Sequence, residues 1–435
     1  HLDCDACVSS CNINWSGKWE KSPDRVPGNE YSTEFREKWG RMAKICLSPE
    51  EVALLQKNVS NVSKFEFDYF HSTRIDLMLF ANIKKYGIDV SDNPLWQEVI
   101  YKVHRKHIVL PEVERAQEFI ENNHLPIYSI KGAQSNRLYS EGEGIRVHKD
   151  YDYIALSSES AFQLASFLFS KGFVIASGVF SIKKVVINGN IRFSGHFHLR
   201  KVLHNQFEVV IDINYPGFPL GRIDLYNPLL KGNCLSDEEQ FMITLCHAFK
   251  HRDVPMKDLN DLYLMMQKRE LDYEYILQRI QLYGLEFYAS MLFGFIFDHY
   301  DFDETTVAMI TRRLRIDKEI YRSFPHWPFD PGEELKVKQR DLDKRSKEKI
   351  DYMRIYLSPL IVYKENSPIY ESALHDLGDA GYTVDCLGEY VWEATRDNIG
   401  FILTSMGIFI DTYADVVSVG REKIKCYLRE LLSIL

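Results

Sequence analysis

Hydrophobic positions change their period several times along the chain, and the changes predict its elements. From about residue 49 to 125 apolar residues recur at helical spacing, as in Glu66-Phe-Asp-Tyr-Phe-His-Ser-Thr-Arg-Ile-Asp-Leu-Met-Leu-Phe80 and Val113-Glu-Arg-Ala-Gln-Glu-Phe-Ile120. Ser48-Pro-Glu-Glu51 starts the first helix: Ser caps the first amides, Pro suits the first turn, and Glu51 reaches back to the cap. Between Ile127 and Leu156 two apolar runs flank a glycine-containing polar stretch, which predicts strand, short helix and strand. Helical spacing returns from Ser158 to Lys171, with Gly172 as its stop. Four short β-rich runs follow, Val174–Phe180, Lys184–Asn188, Ile191–Leu199 and Phe207–Asn214, with Asn188-Gly189-Asn190 as a hairpin turn. Ser236-Asp-Glu-Glu239 repeats the capping signal and opens a helix through Lys250; more helices are predicted at Leu259–Gln267, Tyr273–Tyr283 and Phe287–Tyr300. The charged run from Lys336 to Lys349 reads as a linker or a solvated helix face. The stretch from Ile350 to Leu435 is apolar and helical in pattern, with Phe401–Ile410 suited to a core or an interface.

This order predicts an α+β chain, a small mixed β-sheet core with flanking helical N- and C-terminal domains. The divisions fall at 1–45, an extended arm carrying cysteines; 46–125, a helical N-terminal region; 126–235, the sheet core; 236–330, a helical domain closing the cleft; and 331–435, a helical C-terminal region. A length of 435 residues, 45% of them hydrophobic, is ample for such a multi-part core.

Charge narrows the partners. A net charge of −9 disfavours a broad footprint for DNA or RNA and favours a small-molecule or protein partner. No apolar run approaches the roughly 18 residues of a membrane span and no secretory signal is visible, so a cytoplasmic protein with no membrane partner is expected. Of eight cysteines, Cys4, Cys7 and Cys11 cluster near the start. That spacing suits Zn²⁺ or an iron–sulfur cluster, with His1, Asp3 or Cys46 completing the shell; a flexible thiol-bearing arm is the plainer reading. Trp15, Trp19 and Trp39 would anchor the arm.

The chemistry concentrates in three carboxylates. Asp150 and Asp152 are two apart at the start of an apolar run, so both project from one face of a strand. Asp212 stands in the apolar run Phe207-Glu-Val-Val-Ile-Asp-Ile-Asn214, where an ionised carboxylate is costly unless paired or metal-bound. Together they suggest a Mg²⁺ site. His196 and His198 share one face of another run, where a satisfied sheet histidine is the commoner outcome. His247 and His251 lie four apart on a predicted helix, and His247 is expected to face the cleft.

The order Lys131-Gly132, Arg146, Asp150-x-Asp152 and Asp212, followed by Leu245-Cys-His-Ala-Phe-Lys-His251 and Lys257-Asp-Leu-Asn-Asp-Leu262, resembles the polymerase-β-like nucleotidyltransferase superfamily, in its bacterial branch of uncharacterised nucleotidyltransferases. The likeness covers roughly residues 127 to 297, and Lys131-Gly132-Ala133 replaces the superfamily's usual Gly-Ser. It implies a nucleotidyltransferase core that moves a nucleoside monophosphate from an NTP, with ATP the expected donor, to a hydroxyl or similar nucleophile of a small molecule or peptide. It further implies Mg²⁺ or Mn²⁺ on Asp150, Asp152 and Asp212, with Asp212 drawing the acceptor proton. Lys131, Gly132, Arg146, Lys149, His247 and Lys257 become candidates for binding the donor, and the helical extensions for acceptor or homo-oligomer contacts. A Mn²⁺-dependent sugar-nucleotide glycosyltransferase shares the Asp-x-Asp but leaves Asp212 unexplained; a degenerate domain serving as scaffold or sensor is the non-enzymatic alternative.

Overall fold

In a computed structural model, the structure describes residues 31–73, 75–139, 150–187, 190–204, 207–215, 228–232, 234–251, 256–316, 352–362, 369–388, 391–404, 407–411 and 421–435. Ser48 and Glu51 behave as their spacing predicts. The Ser48 amide donates to Glu51 Oε2 at 2.9 Å and the Glu51 amide to Ser48 Oγ at 3.3 Å, opening Pro49–Val59. This helix is α2, because another precedes it: α1, Thr33–Met42, capped by Ser32, whose Oγ accepts from the Phe35 amide. Residues 31–45 were expected in the extended arm; they instead place Tyr31, Trp39, Met42, Ala43 and Ile45 in the core. Phe35, Trp39 and Met42 stand at i, i+4 and i+7, a helical stripe that the polar composition obscures. The Cys4, Cys7 and Cys11 cluster, with Trp15 and Trp19, lies outside the described residues.

α3 (Lys64–Thr73), α4 (Asp76–Lys85) and α5 (Leu95–Asn122) complete the N-terminal helices. They share one hydrophobic core with α8 (Asp237–His251), α9 (Met256–Lys268), α10 (Tyr273–Tyr283), α11 (Glu286–His299) and α12 (Glu304–Leu314). Two buried amides fasten the layer. Asn82 donates to the Met42 and Lys44 carbonyls, both at 2.8 Å, while Asn260 of α9 donates to the Ala43 carbonyl at 3.1 Å and accepts from the Ile45 amide at 3.3 Å. Each buried amide would otherwise cost about 1–3 kcal/mol, so these bonds fix how the segment after α1 seats.

The other layer is one ten-stranded sheet in the order β1-β2-β5-β4-β3-β8-β12-β11-β10-β9. Its first half contains β1 (Ile127–Ser129), β2 (Tyr151–Ala155), β5 (Phe207–Tyr215), β4 (Asn190–Leu203) and β3 (Val174–Ile187). A short helix α6 (Gly132–Ser135) follows β1, and α7 (Ser158–Ser170) follows β2 and stops at Lys171-Gly172, where Gly172 takes φ +83°. β3 joins two runs predicted as separate strands, since both pair along the same β4. A two-stranded ribbon, β6 (Leu230–Lys231) and β7 (Cys234–Leu235), leads into α8.

The second half corrects two expectations: the sheet is not small, and residues 331–435 are not a helical region. β8 (Tyr352–Val362) pairs with β3, and β9 (Thr383–Gly388), β10 (Val391–Arg396), β11 (Ile399–Thr404) and β12 (Gly407–Asp411) extend the same sheet. Only α13 (Glu371–Asp379) and α14 (Arg421–Ile434) are helical among the described residues there. The physical reason lies in Phe401–Ile410. Ile402 and Phe409 enter the core under the first half, whereas Phe401, Leu403, Ile408 and Ile410 face a third core with α13 and α14. A strand buried on both faces is apolar throughout, so its alternation does not show. Asp397 and Asn398, at φ +50° and +62°, close the β10–β11 hairpin in the primed-turn geometry that matches strand twist.

Candidate functional site: two facing aspartates on adjacent strands

β2 and β5 are parallel, and their register sets Asp152 directly opposite Asp212. β4 lies on the other side of β5, and its register sets His198 opposite Asp212 and His196 opposite Asn214. Neighbouring strands run about 4.8 Å apart, so Asp152, Asp212 and His198 form a row across three strands. Both aspartates are buried, at 7% and 6% exposure, among apolar neighbours such as Tyr153, Ile211 and Ile213. A buried carboxylate requires partners.

Asp152 finds a lysine. β1 runs antiparallel to β2, and the Ile130 amide donates to the Asp152 carbonyl at 2.9 Å. The next residue, Lys131, takes φ +53°, a left-handed conformation unusual for a side-chain-bearing residue, and this turn brings its Nζ to 2.6 Å from Asp152 Oδ1. Gly132, buried, begins α6 immediately after. The turn is braced from both sides: the Ser135 amide donates to the Lys131 carbonyl at 2.8 Å, and Gln240 of α8 donates to the Ser129 carbonyl at 3.1 Å. Burial pulls the Lys131 ammonium down, but the Asp152 charge and hydrogen bond, with the fields of Asp150 and Asp212, outweigh it and hold the pKa above the ordinary lysine value. Asp150, half-buried just before β2, thus acts on the same cation.

Asp212 finds two imidazoles. His196 Nε2 lies 3.2 Å from its Oδ2 and His198 Nδ1 3.5 Å from its Oδ1. Burial raises the Asp212 carboxyl, yet the His196 hydrogen bond and the charges of His196, His198 and Lys131 more than offset it, leaving the pKa below the usual carboxylate value. Oδ1 is buried and makes no hydrogen bond. Neither histidine stands out from its spacing alone; the signal is pairing with the strand that carries Asp212, which is not local in sequence.

The helical layer adds a second cluster. His247 on α8 lies 3.7 Å, Nδ1 to Oδ2, from Asp258 of α9, and Lys257 Nζ lies 3.8 Å from Asp258 Oδ1. Burial lowers the His247 pKa; Asp258 opposes this, while the charges of Lys131 and Lys257 add to it. The charge of Lys131 thus reaches His247, which places this cluster within electrostatic range of the strand site. Asp258, absent from the expected site residues, is therefore the buried anion between His247 and Lys257. Nearby, Tyr139 donates to the buried Asp261 of α9 at 2.7 Å. Arg146 and Lys149 lie outside the described residues.

The strand carboxylates have the oxygen donors a divalent cation takes, but their donor atoms are not gathered within 4.8 Å of one another. Lys131 contacts Asp152 and feels the charges of Asp150 and Asp212, and an Asp212 oxygen is buried with no hydrogen bond. Among the described residues, the group with donor atoms already within 4.8 Å of one another is His375, Asp376 and Asp379 on α13, which the strand carboxylates, engaged with Lys131 and two imidazoles, do not form. The α13 group is fully solvated, and exposed acids gather on helix faces without binding anything.

The chain is α+β, and its paired strands carry facing aspartates after a lysine-bearing turn. The chain belongs to a family of uncharacterised nucleotidyltransferases, whose model matches residues 67–296. That span runs from α3 through α11 and includes both clusters. Neither curated proteins nor solved structures provide a match. Among the described residues no helix is long and apolar enough to cross a membrane.

Proposed function

We propose that the chain transfers a nucleoside monophosphate from an NTP, ATP being the expected donor, to a hydroxyl or similar nucleophile of a small molecule or peptide. The observation that carries this reading is the register of Asp152 against Asp212 on parallel strands, with Lys131 delivered to Asp152 by a left-handed turn. Family membership supports it. In the reaction the acceptor oxygen bonds to the α-phosphorus, the bond from that phosphorus to the bridging oxygen breaks, and pyrophosphate leaves with the electron pair. The acceptor proton passes to Asp212, whose depressed pKa keeps it ionised at neutral pH at some cost in basic strength.

Asp150, Asp152 and Asp212 would hold Mg²⁺ or Mn²⁺, which when bound supplies charge neutralisation at the phosphates and acidifies the acceptor hydroxyl. Lys131 presents its ammonium, and Gly132 its backbone, where a triphosphate would approach. Arg146 and Lys149 join them in neutralising phosphate. Lys257 does the same from α9, and His247, kept neutral by burial, offers the donor a hydrogen bond rather than a charge. The net charge of −9 disfavours a polynucleotide acceptor.

The test is incubation with each α-labelled NTP, Mg²⁺ or Mn²⁺ and a cell extract, followed by mass spectrometry for an added nucleotide. Label on a small molecule or peptide is the expected result, lost in Asp152→Ala. Label confined to RNA ends would overturn the acceptor. No metal-dependent binding of any NTP by calorimetry would overturn the transferase reading, and UDP-sugar binding with Mn²⁺ in its place would replace it with a glycosyltransferase.

A further inference from the structure

We infer that Asp258 is a positioning residue of the proposed transfer site, its buried carboxylate holding His247 and Lys257 in the poses from which they meet an NTP. The inference rests on the nucleotidyltransferase reading for the presence of the NTP, and goes beyond it in giving a role to a carboxylate outside the three strand aspartates.

Asp258 stands in the first turn of α9 and is 3% exposed. A carboxylate that deep is costly to ionise unless neighbouring groups compensate its charge. Two nitrogen groups answer it, one at each oxygen: His247 Nδ1 of α8 lies 3.7 Å from Oδ2, and Lys257 Nζ of α9 itself lies 3.8 Å from Oδ1. Exposure rises outward from the carboxylate, from 5% for the Asp258 side chain to 11% for Lys257 and 18% for His247. The anion is thus the inner member of the cluster, and the two groups suited to an NTP are the outer ones. Both separations are within ion-pair range and longer than a formed hydrogen bond, the looseness such contacts lose once a substrate seats.

The cluster is fixed relative to the strand site. His247 feels the charge of Lys131, and α9 is tied to the segment that follows that lysine. Asp261, one turn beyond Asp258, accepts from Tyr139 at 2.7 Å, and Lys268 Nζ donates to the Leu138 carbonyl at 2.7 Å. A plainer role exists for an aspartate in a first turn, which is to complement the helix dipole. That gain is smaller than the penalty of burying the charge, and it needs no imidazole from a second helix. The carboxylate also sets the ring: burial keeps His247 neutral, and an anion facing Nδ1 keeps the proton on that nitrogen.

Charge and positioning predict opposite signs. Asp258 is negative, so by charge alone its removal would tighten the binding of a triphosphate, whereas loss of a positioning residue weakens it. The experiment uses the full chain and the four NTPs with Mg²⁺, read by calorimetry, with the tightest binder taken forward. Asp258→Asn should raise its Kd about tenfold, the worth of one charge-assisted contact. His247→Gln should weaken binding as well, and the double variant should lose less than the product of the two single effects, because Asp258 acts in part through the ring. Thermal melts establish that the variants are folded. Histidine-selective ¹⁵N NMR of the wild type, with His247 assigned by its loss in His247→Gln, decides the question should Asp258→Asn not fold: the proton is expected on Nδ1, and a proton on Nε2 would overturn the inference. Binding by Asp258→Asn as tight as wild type or tighter, or a double variant equal to the product, would also overturn it and leave the transferase reading standing. A wild type that binds no NTP would overturn both.

Discussion

Two buried lysine–aspartate pairs are built from the same side chains and lead to different conclusions. In the helical layer Asp76, at the start of α4, pairs with Lys102 of α5 and has His71 Nδ1 at 3.7 Å. At the strand site Asp152 pairs with Lys131 at 2.6 Å, while Asp150 and Asp212 act on the same ammonium. The first group balances one carboxylate with one lysine and an adjacent imidazole. The second leaves negative charge in surplus on rigid strands. A balanced pair is a structural element; a surplus on two paired strands is what the proposed transfer site would offer a further cation.

The largest effect is expected where balance is broken in the structural pair. Lys102→Met strands Asp76 as a buried, uncompensated charge and should cost about 3–5 kcal/mol in urea unfolding at neutral pH. Adding Mn²⁺ should not restore it. Lys131→Met should also destabilise the metal-free chain, but here Mn²⁺ at a hundred times its Kd should return about 2.7 kcal/mol by binding the folded state alone. Equal insensitivity of both variants to Mn²⁺ would erase the distinction between the pairs.

Acid titration gives a smaller, signed effect. Burial raises the Asp76 carboxyl, but the nearby His71 imidazole and the Lys102 charge and hydrogen bond outweigh it and set the folded pKa below the ordinary value. Its contribution is therefore complete above the unfolded pKa of about 4 and is lost as pH falls through the lower folded one. Asp76→Asn should flatten the acid limb of stability against pH, measured by urea midpoints; an unchanged limb would mean other carboxylates dominate. Smallest is a change touching neither pair: Ser48→Ala removes the α2 cap, should cost about 1 kcal/mol and should leave Mn²⁺ affinity unmoved.

What the sequence made legible follows from how local each feature is. Ser48 with Glu51, Asp150 with Asp152, and the strand, turn and short helix around Lys131 are each set by neighbours within a few residues. The second capping signal was half realised: Ser236 accepts from the Glu239 amide, but Glu239 turns away to the Leu229 amide and the Tyr275 hydroxyl. His196 and His198 stayed illegible because their meaning lies in the β4–β5 register, made by strands that could pair otherwise. The C-terminal strands were hidden by burial on both faces, and Asp258 by a partner, His247, on another helix. Candidate residues announced by position along one strand were readable, and those announced by position across strands or helices were not.

The helix α5 has a mechanical consequence. Its 28 residues span about 42 Å, and its two ends belong to different cores: Trp96 and Val99 to the helical layer, Val109, Val113, Ala116 and Ile120 to the sheet. Near the middle, Arg105 donates to the Glu208 carbonyl of β5, Glu112 holds Lys201 of β4 at 3.0 Å, and Pro111 interrupts the helical hydrogen bonds. The helix is thus a lever pinned near its fulcrum to the two strands that carry Asp212 and the histidines. A rigid tilt of about 5° would move each end by about 2 Å, and the Arg105 and Glu112 contacts would carry such a tilt to the strands of the site.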